Sequence, residues 1–255
     1  MPANLTHPSF TQPDDPTIGL WRYMDLSKFV ALLQRRVLVF ARADKLGDPF
    51  EGSVPLGNAA ALTLIKEIRK SDPGKDPYSG MPCETLEKVF TQFSDIRKRA
   101  VQAFFISCWH MNQGESAAMW KLYSTSDDAV CVRTDYATLA SVLPDEICMG
   151  IINYIDYKTA TIRGDNLFNP VLIKRRSFAH EREARAVALD FDVLLRGTSP
   201  PHIREVPIDV DKLITAVYVS PKSPEWFRGV VEKLANKYDL TVPVERSEID
   251  SEPLY

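Results

Sequence analysis

The stretch SFAHEREARAVAL at residues 177–189 places two carboxylates and an arginine at alternate positions, Glu181, Glu183 and Arg185. On a β-strand, alternate side chains lie on one face, so these three would point the same way. A helix also fits, because Ala, Glu and Arg are good helix formers and Glu181 and Arg185 make a favourable i,i+4 pair. Propensity alone therefore leaves strand and helix open for this stretch.

The acid pair in this stretch has two interpretations. Two carboxylates beside the apolar residues that follow them would form the acid end of an active site, where the surroundings separate the pKa values of paired groups. Alternatively, Arg185 would neutralise Glu183 and make the cluster a structural ladder of ion pairs, worth ~0.2–1 kcal/mol per cross-strand pair. Both interpretations stay open at the level of sequence.

Composition places the chain among soluble globular proteins. It has 255 residues, of which 45% are hydrophobic and 25% charged. The 31 basic and 34 acidic residues create no global basic field, so nucleic acid would bind only through a local basic patch. One candidate patch is Arg97-Lys98-Arg99, for which a solvated helix end is the plainer explanation.

The sequence contains no pattern typical of a membrane span, a secretory signal, a set of disulfides or a zinc site. No apolar run approaches the ~20 residues of a membrane span, and the first residues lack the basic and apolar blocks of a secretory signal. We therefore expect a cytoplasmic protein with no membrane partner. The four cysteines are scattered in apolar surroundings, which favours reduced packing residues over disulfides or a zinc site. No metal is expected.

The order of predicted elements indicates an α+β fold. Proline-rich residues 1–18 predict a flexible N-terminal arm, either mobile or draped over the surface, ahead of a single domain at residues 19–255. Short strands alternate with helices, and several strands follow one another without a full crossover. This order predicts a mixed, largely antiparallel central sheet with flanking helices. Residues 56–102 are predicted as a helical insertion, and residues 160–176 as a helix with a basic end.

Candidate site residues precede the stretch at 177–189. Arg22 lies in the first predicted strand, next to a strand-to-helix turn. Asp48, Phe50 and Glu51 close the loop after the second strand, which contains a Gly-Asp-Pro turn signal.

Aromatic residues cluster around a later predicted strand. Ser107 and Trp109 lie in the strand at residues 103–110, and Trp120 and Tyr123 stand three apart on the helix that follows. Such aromatics would form a stacking platform for a planar ring; as the plainer alternative, they belong to the core.

Four boxes along the chain carry a family resemblance: Trp21-Arg22-Tyr23, Asp48-Pro49-Phe50-Glu51, Met119-Trp120-x-x-Tyr123 and Glu181-x-Glu183-x-Arg185. Together they resemble an uncharacterised bacterial family known by Asn-Asp-Pro-Phe-Glu, Met-Trp-x-x-Tyr and Glu-x-Glu-x-Arg boxes. The chain departs from it with Gly47 where the family usually has Asn, and Ala41 where it often has Ser. Membership would imply a strand at residues 181–189.

A more distant resemblance leads to chemistry. The ordered trio Arg22, Ser107 and Glu183 is similar to the Arg-Ser-Glu pattern of ADP-ribosyltransferases, which split NAD at the nicotinamide bond. The resemblance implies that Arg22 binds the NAD phosphates, that Ser107 shapes the nicotinamide-ribose pocket and that Glu183 is the catalytic carboxylate. Glu181 would orient the acceptor. Nicotinamide would stack on one of three aromatics: Trp109, Trp120 or Tyr123.

The implied protein is an NAD-dependent ADP-ribosyltransferase-like enzyme with an ADP-ribosyltransferase-like fold. It would modify an unknown macromolecular acceptor as a bacterial toxin or phage-defence effector, with a neutralising partner protein. Two other classes stay open. One is a non-catalytic ligand-binding or partner-binding domain, with the acids and arginines as scaffold. The other is a nuclease in which Asp48, Glu51, Glu181 and Glu183 hold a divalent ion through hard oxygen ligands.

Overall fold

The computed structural model describes residues 2–124 and 127–251. The strands in these residues are β1 (Gly19–Asp25), β2 (Val37–Arg42), β3 (Phe104–Met111), β4 (Ala129–Asp135), β5 (Cys148–Ile151), β6 (Asn153–Ile155), β7 (Ile173–Arg175), β8 (Glu183–Leu189), β9 (Ile203–Pro207), β10 (Ala216–Val219) and β11 (Val244–Arg246). The helices are α1 (Leu26–Arg35), α2 (Leu56–Ala59), α3 (Ala61–Ser71), α4 (Cys83–Ala103), α5 (Ala117–Tyr123), α6 (Tyr136–Val142), α7 (Phe191–Arg196), α8 (Val210–Leu213) and α9 (Glu225–Lys237).

One large sheet organises the described residues. Its strands follow the order β11-β10-β4-β1-β3-β2-β9, and β8 pairs with β3 and then with β5. Every pairing in this sheet is antiparallel except that of β10 with β11. A separate small sheet joins β6 and β7 in parallel. The prediction of an α+β fold with a mixed, largely antiparallel central sheet is therefore confirmed.

The sheet is split between β1 and β2. Along one edge, β3 pairs with β8 over its whole length, from Phe104 to His110. On the other edge, β1 pairs with β3 only through Leu20 and Trp21, whereas β2 pairs with the opposite end of β3, through Ala41 and Arg42. Because β1 and β2 share one edge of β3 at different ends, they separate from each other and leave an opening between them.

Helices cover one face of the sheet and bury its largest core. α1 contributes Phe29, Leu32 and Leu33, and α9 contributes Phe227 and Val231 to the same cluster. These positions recur at helical spacing, so each helix presents one apolar stripe to the sheet. Full burial of each large apolar side chain contributes about 1.5–3 kcal/mol, which fixes the helices against the strands.

The helical insertion is observed between β2 and β3 as α2, α3 and α4. α4 is 21 residues long, buries Leu86 and Ala100 and leads directly into β3. The connector ahead of α4 contains a 3-10 turn at Pro73–Lys75, where proline and glycine stop a longer helix. Within the described residues, no helix combines the length and apolar character that a membrane crossing requires.

The predicted helix at residues 160–176 is wrong. The structure shows a loop, a 3-10 turn at Asn169–Val171 and then β7. Gly164 and Pro170 lie inside this segment, and both disfavour a helix interior because glycine is too free and proline lacks an N–H donor. The basic end of the predicted helix is therefore a strand, on which Lys174 is buried.

The opening stretch is a strand over only part of its length. Residues Arg176–Glu181 form a 3-10 turn, Arg182 has a left-handed backbone with φ 40°, and β8 begins at Glu183. The strand predicted for the Glu183–Leu189 segment is observed, and its extension back to Glu181 is wrong. Because Glu181 lies in the turn, strand alternation does not fix the direction of its side chain. Contacts with neighbouring elements do so instead.

Residues 2–18 lie along the body of the fold. The Ala3 and Asn4 backbone N–H groups donate to the carbonyls of Ala140 and Ile147 at 2.9 and 2.8 Å. Ala3 and Phe10 are buried in the two main core clusters. The structure thus shows this segment draped over the surface, which is one of the two arrangements that the sequence predicts. Its flexibility, and the division into an arm and one domain, stay predictions.

Phe10 gives a test of how firmly this segment is held. Phe10→Ala removes a buried ring that packs edge-on against Phe168, so we expect the free energy of unfolding to fall by about 3 kcal/mol in urea titration. Leu195→Ala is the control, because that side chain is 76% exposed and its loss should change stability by no more than about 0.5 kcal/mol. Equal effects of the two substitutions would show that residues 2–18 detach from the fold in solution.

Candidate active site

An open cavity of about 430 Å³ lies at the opening between β1 and β2. This volume is in the range of small-molecule sites, roughly 300–1,000 Å³. Its walls come from α1, β1, β2, β3, α5 and the turn before β8, and they are mostly apolar. The predicted site residues that line the cavity are Arg22, Trp109, Tyr123, Glu181 and Glu183.

Arg22 reaches across the split in the sheet. Its Nη1 donates to Ser107 Oγ at 2.9 Å, and its Nη2 donates to the Val39 carbonyl at 3.0 Å. The guanidinium carbon lies 5.5 Å from the centroid of the Trp109 ring, whose Nε1 also donates to Ser107 Oγ. Among the described residues, Arg22 has no ion pair with a carboxylate. It is therefore a fixed cation with capacity to bind an anion.

Glu183 is a buried, ionised carboxylate on another wall of the same cavity. Arg185 donates to its two oxygens at 2.9 and 3.0 Å, and Lys174 Nζ lies 3.4 Å from Oε2. The Glu183 backbone N–H donates to Tyr154 Oη at 2.8 Å. Burial acts to raise the pKa of Glu183, but the attraction of Arg185 and Lys174 outweighs it and lowers the pKa to about 2.

Arg185 lies behind Glu183 and is fully buried. Its Nη2 donates to Glu51 Oε2 at 2.9 Å, and its Nη1 donates to the Val171 carbonyl at 2.7 Å. Burial acts to lower the pKa of Arg185, but Glu183 and Glu51 raise it well above its ordinary value. Glu51 and Arg185 are not among the residues that line the cavity. The predicted ion-pair ladder thus exists, and it leaves Glu183 at the cavity wall.

Glu181 joins the same charged cluster from the 3-10 turn. Its carboxylate pairs with Lys174 and accepts a hydrogen bond from Tyr123 Oη at 3.3 Å. Three carboxylates, Glu51, Glu181 and Glu183, thus share two cations, Lys174 and Arg185. This cluster, which lies at and behind one wall of the cavity, carries one excess negative charge, which favours a ligand that develops positive charge.

Arg22 and Glu183 reach the cavity from opposite faces of the sheet. Ser107 pairs with Ala186 and Cys108 with Arg185, so the face that carries Ser107 and Arg22 is not the face that carries Arg185 and Glu183. In an unbroken sheet these side chains would be separated. They line one cavity here because β1 and β2 have moved apart. Ser107 does not line the cavity and instead supports Arg22.

The remaining candidate residues lie outside the cavity. Asp48 accepts a hydrogen bond from Arg175 at 2.8 Å, and the Phe50 ring stacks on the Arg175 guanidinium at 4.3 Å. Trp120 packs edge-on against Tyr23 at 4.9 Å and donates from Nε1 to Glu115. These residues build the walls around the cluster, and their functional roles stay predictions.

Sequence reasoning missed two residues at this site. Lys174 was expected at the end of a helix, yet it bridges Glu181 and Glu183 from β7. His110 was not among the candidate residues, yet it lines the cavity and its Nδ1 contacts the Glu181 carbonyl oxygen. Its place beside Trp109 in a predicted strand was the signal available, because alternation puts it on the opposite face from Trp109.

The carboxylates proposed for a nuclease are each paired with a basic side chain. Asp48 meets Arg175, Glu51 meets Arg185, and Glu181 meets Lys174. Over residues 2–124 and 127–251, no set of three or more His, Cys, Asp or Glu side chains is grouped so as to hold a metal ion. This arrangement gives the nuclease alternative no support.

Comparison with known proteins adds little to this description. No family model matches the sequence, and no curated protein matches it significantly. A structural neighbour is Thermus sp. 2.9 DarT in complex with ADP-ribosylated ssDNA, at 10% identity over 94% of this chain and 97% of that chain. Its TM-score of 0.40 is too low for the likeness to carry an argument. Membership of the uncharacterised bacterial family stays a prediction.

The low pKa of Glu183 predicts a specific acid dependence of stability. Because its pKa is lowered from 4.5 to about 2 on folding, its stabilising contribution is present above pH 4.5 and is lost as the pH falls toward 2. Wild type should therefore lose unfolding free energy between pH 5 and pH 3 more steeply than Glu183→Gln, which lacks this titration. Urea titrations at several pH values measure both slopes, and parallel slopes would contradict the buried ion pair.

Proposed function

We propose that this chain is an NAD-dependent ADP-ribosyltransferase-like enzyme. One observation carries the proposal: Arg22, a cation with no carboxylate partner among the described residues, and Glu183, an ionised buried carboxylate, line one cavity. In NAD, the pyrophosphate would bind Arg22, and the glycosidic bond to nicotinamide would lie beside Glu183. The ordered trio Arg22, Ser107 and Glu183 motivates the NAD hypothesis; Arg22 and Glu183 line the cavity, and Ser107 accepts a hydrogen bond from Arg22.

Arg22 would bind the pyrophosphate. A guanidinium has five N–H donors, and Arg22 uses one on Ser107 and one on Val39. The donors that are left suit phosphate oxygens, because the planar fork matches their geometry and stays charged. The contacts with Ser107 and Val39 hold the fork in place before the ligand arrives, which reduces the entropy that binding would cost.

Glu183 would stabilise the transition state. Cleavage of the bond between nicotinamide and ribose leaves positive charge on the sugar, which a fixed carboxylate stabilises more strongly than it stabilises intact NAD. Arg185 holds both Glu183 oxygens from behind, so the carboxylate keeps its direction. The excess negative charge that Glu181 adds to this wall acts in the same sense.

Tyr123 is the aromatic best placed to stack on nicotinamide. It lines the cavity and is 44% exposed, so its ring is accessible to a ligand. Trp109 is 1% exposed and packs under Arg22, whereas Trp120 is not among the residues that line the cavity. The hydrogen bond from Tyr123 Oη to Glu181 orients the ring beside the carboxylates. Glu181 itself would orient the acceptor.

A second candidate function is a non-catalytic ligand-binding domain. The observation that favours it is the extent of ion pairing around Glu183, whose oxygens are held by Arg185 and Lys174. A scaffold of this kind fixes the fold whether or not chemistry takes place. Breaking a buried pair by removing one partner typically costs about 3–5 kcal/mol, so a loss of activity must be separated from a loss of fold.

Glu183 and Glu51 form a matched pair for this test, since both bind Arg185 and only Glu183 lines the cavity. We expect Glu183→Gln to reduce nicotinamide release from NAD by roughly 10²–10³-fold, the range seen when one electrostatic stabiliser is removed. Glu51→Gln should destabilise the fold to a similar degree and reduce turnover far less. Nicotinamide release and melting temperature are measured for both. Equal loss in both variants, in step with stability, would favour the scaffold.

We further propose that the enzyme modifies a macromolecule as a toxin or phage-defence effector, restrained by a neutralising partner protein. Induced wild type should slow growth of the host cell, and Glu183→Gln expressed to the same level should not. Transfer of labelled ADP-ribose to cell protein and to single-stranded DNA, in separate reactions, identifies the acceptor class. Equal growth with both variants and no labelled product would contradict this role.

A further inference from the structure

His110 has an unusual environment beside the acid cluster. It is 4% exposed, lines the cavity and stands directly opposite Glu183 in the pairing of β3 with β8. Its Nδ1 lies 2.6 Å from the carbonyl oxygen of Glu181. Its Nε2 is buried and has no hydrogen-bond partner among the described residues. Buried polar atoms are nearly always paired, so an unpaired one beside a cavity calls for a functional explanation.

The contact with Glu181 determines which nitrogen of His110 carries the proton. A carbonyl oxygen only accepts hydrogen bonds, so Nδ1 must be the donor. In the neutral ring the other nitrogen, Nε2, then holds a free lone pair. The same hydrogen bond fixes the ring orientation, as a second group does for the histidine of hydrolytic triads. His110 is therefore set up as an acceptor at Nε2.

Glu181 is poorly suited to the same task. Its carboxylate is already paired with Lys174 and accepts a hydrogen bond from Tyr123, so its oxygens are engaged by other side chains. His110 has neither a cationic partner nor a hydrogen bond at Nε2 within the described residues. Burial lowers the pKa of His110 below 6.5, so the ring is neutral near pH 7. Of these two neighbouring groups, the imidazole is the one ready to accept a proton.

We propose that His110 Nε2 is the general base that accepts the proton of the attacking nucleophile, an inference that rests on the proposed function. The bond between ribose C1′ and the nicotinamide nitrogen breaks, and its electron pair leaves with nicotinamide. An acceptor O–H or N–H group attacks C1′ and forms the new bond. Its proton passes to His110 Nε2 and then to solvent. With water as the nucleophile the products are nicotinamide, ADP-ribose and that proton.

The proposal predicts an acid limb in the rate. Turnover should fall about tenfold per pH unit below the pKa of His110, because the protonated ring cannot accept a proton. Glu183 cannot produce this limb, since its pKa is about 2. The charged or titratable groups that act on His110 are Glu181, Arg182 and His180 from the turn before β8; Glu183 faces it from β8, and the Tyr23 ring lies 6.3 Å away on β1.

The test uses the full chain with NAD and water, and nicotinamide release is followed from pH 8 down to the lowest pH at which the wild type stays folded. His110→Asn keeps an amide N–H that can donate to the Glu181 carbonyl, and it removes the base. We expect kcat to fall about 100-fold, the KM for NAD to stay within about twofold, and the acid limb to disappear. His110→Gln should behave alike. His202→Asn is the control, because it removes an exposed histidine that does not line the cavity and should keep both kcat and the acid limb.

The outcomes separate this inference from the proposed function. If wild type turns over and Glu183→Gln does not, while His110→Asn keeps its kcat and its acid limb, then the base is elsewhere and only the role of His110 is overturned. A wild-type profile without an acid limb at any pH below 6.5 at which the protein stays folded overturns it as well, whether or not the variants fold. A change confined to KM or melting temperature would make His110 structural. No nicotinamide release by wild type overturns the proposed function and this inference together.

Discussion

The site depends on one buried guanidinium, that of Arg185. It joins Glu183 on β8 to Glu51 in the loop after β2, and it also holds the Val171 carbonyl. Without it, two carboxylates would be buried with too few partners, and each uncompensated buried charge costs several kcal/mol. The network therefore ties the loop, the strand and the 3-10 turn to one geometry. It also keeps the Glu183 carboxylate charged and oriented at the wall of the cavity.

The second constraint is the separation of β1 from β2. Arg22 bridges these strands through Ser107 and Val39, so it stabilises the split that exposes it. Two faces of the sheet become accessible from one cavity, which brings the Arg22 guanidinium and the Glu183 carboxylate together although alternation places them on opposite sides. The wall with excess negative charge and the wall with Arg22 then differ in sign, as a ligand with a pyrophosphate and a developing sugar cation would require.

The fold class could be predicted because it depends on local patterns. β-branched runs and helical spacing identified most elements, and short connections between strands indicated antiparallel pairing. The failures have local causes too. At residues 160–176, Gly164 and Pro170 prevent the helix that the apolar and basic residues around them indicate. At Arg182, a left-handed backbone marks the boundary before β8, and a residue other than glycine rarely predicts that conformation. The prolines in residues 2–18 indicated a flexible arm, yet Ala3 and Phe10 in this segment are core residues.

By itself, the sequence determined the candidate residue types: an arginine in an early strand, two alternate acids near the start of a late strand, and aromatics near the middle. Only the tertiary structure decided which of them meet. Ser107, Trp120 and Arg185 support the walls, whereas Arg22, Tyr123 and Glu183 line the cavity. Spacing along a strand fixes the face on which a side chain lies, but a split sheet joins opposite faces, and no local pattern encodes that split. The pairing of β1 and β2 with opposite ends of β3, which is long-range in sequence, produces it.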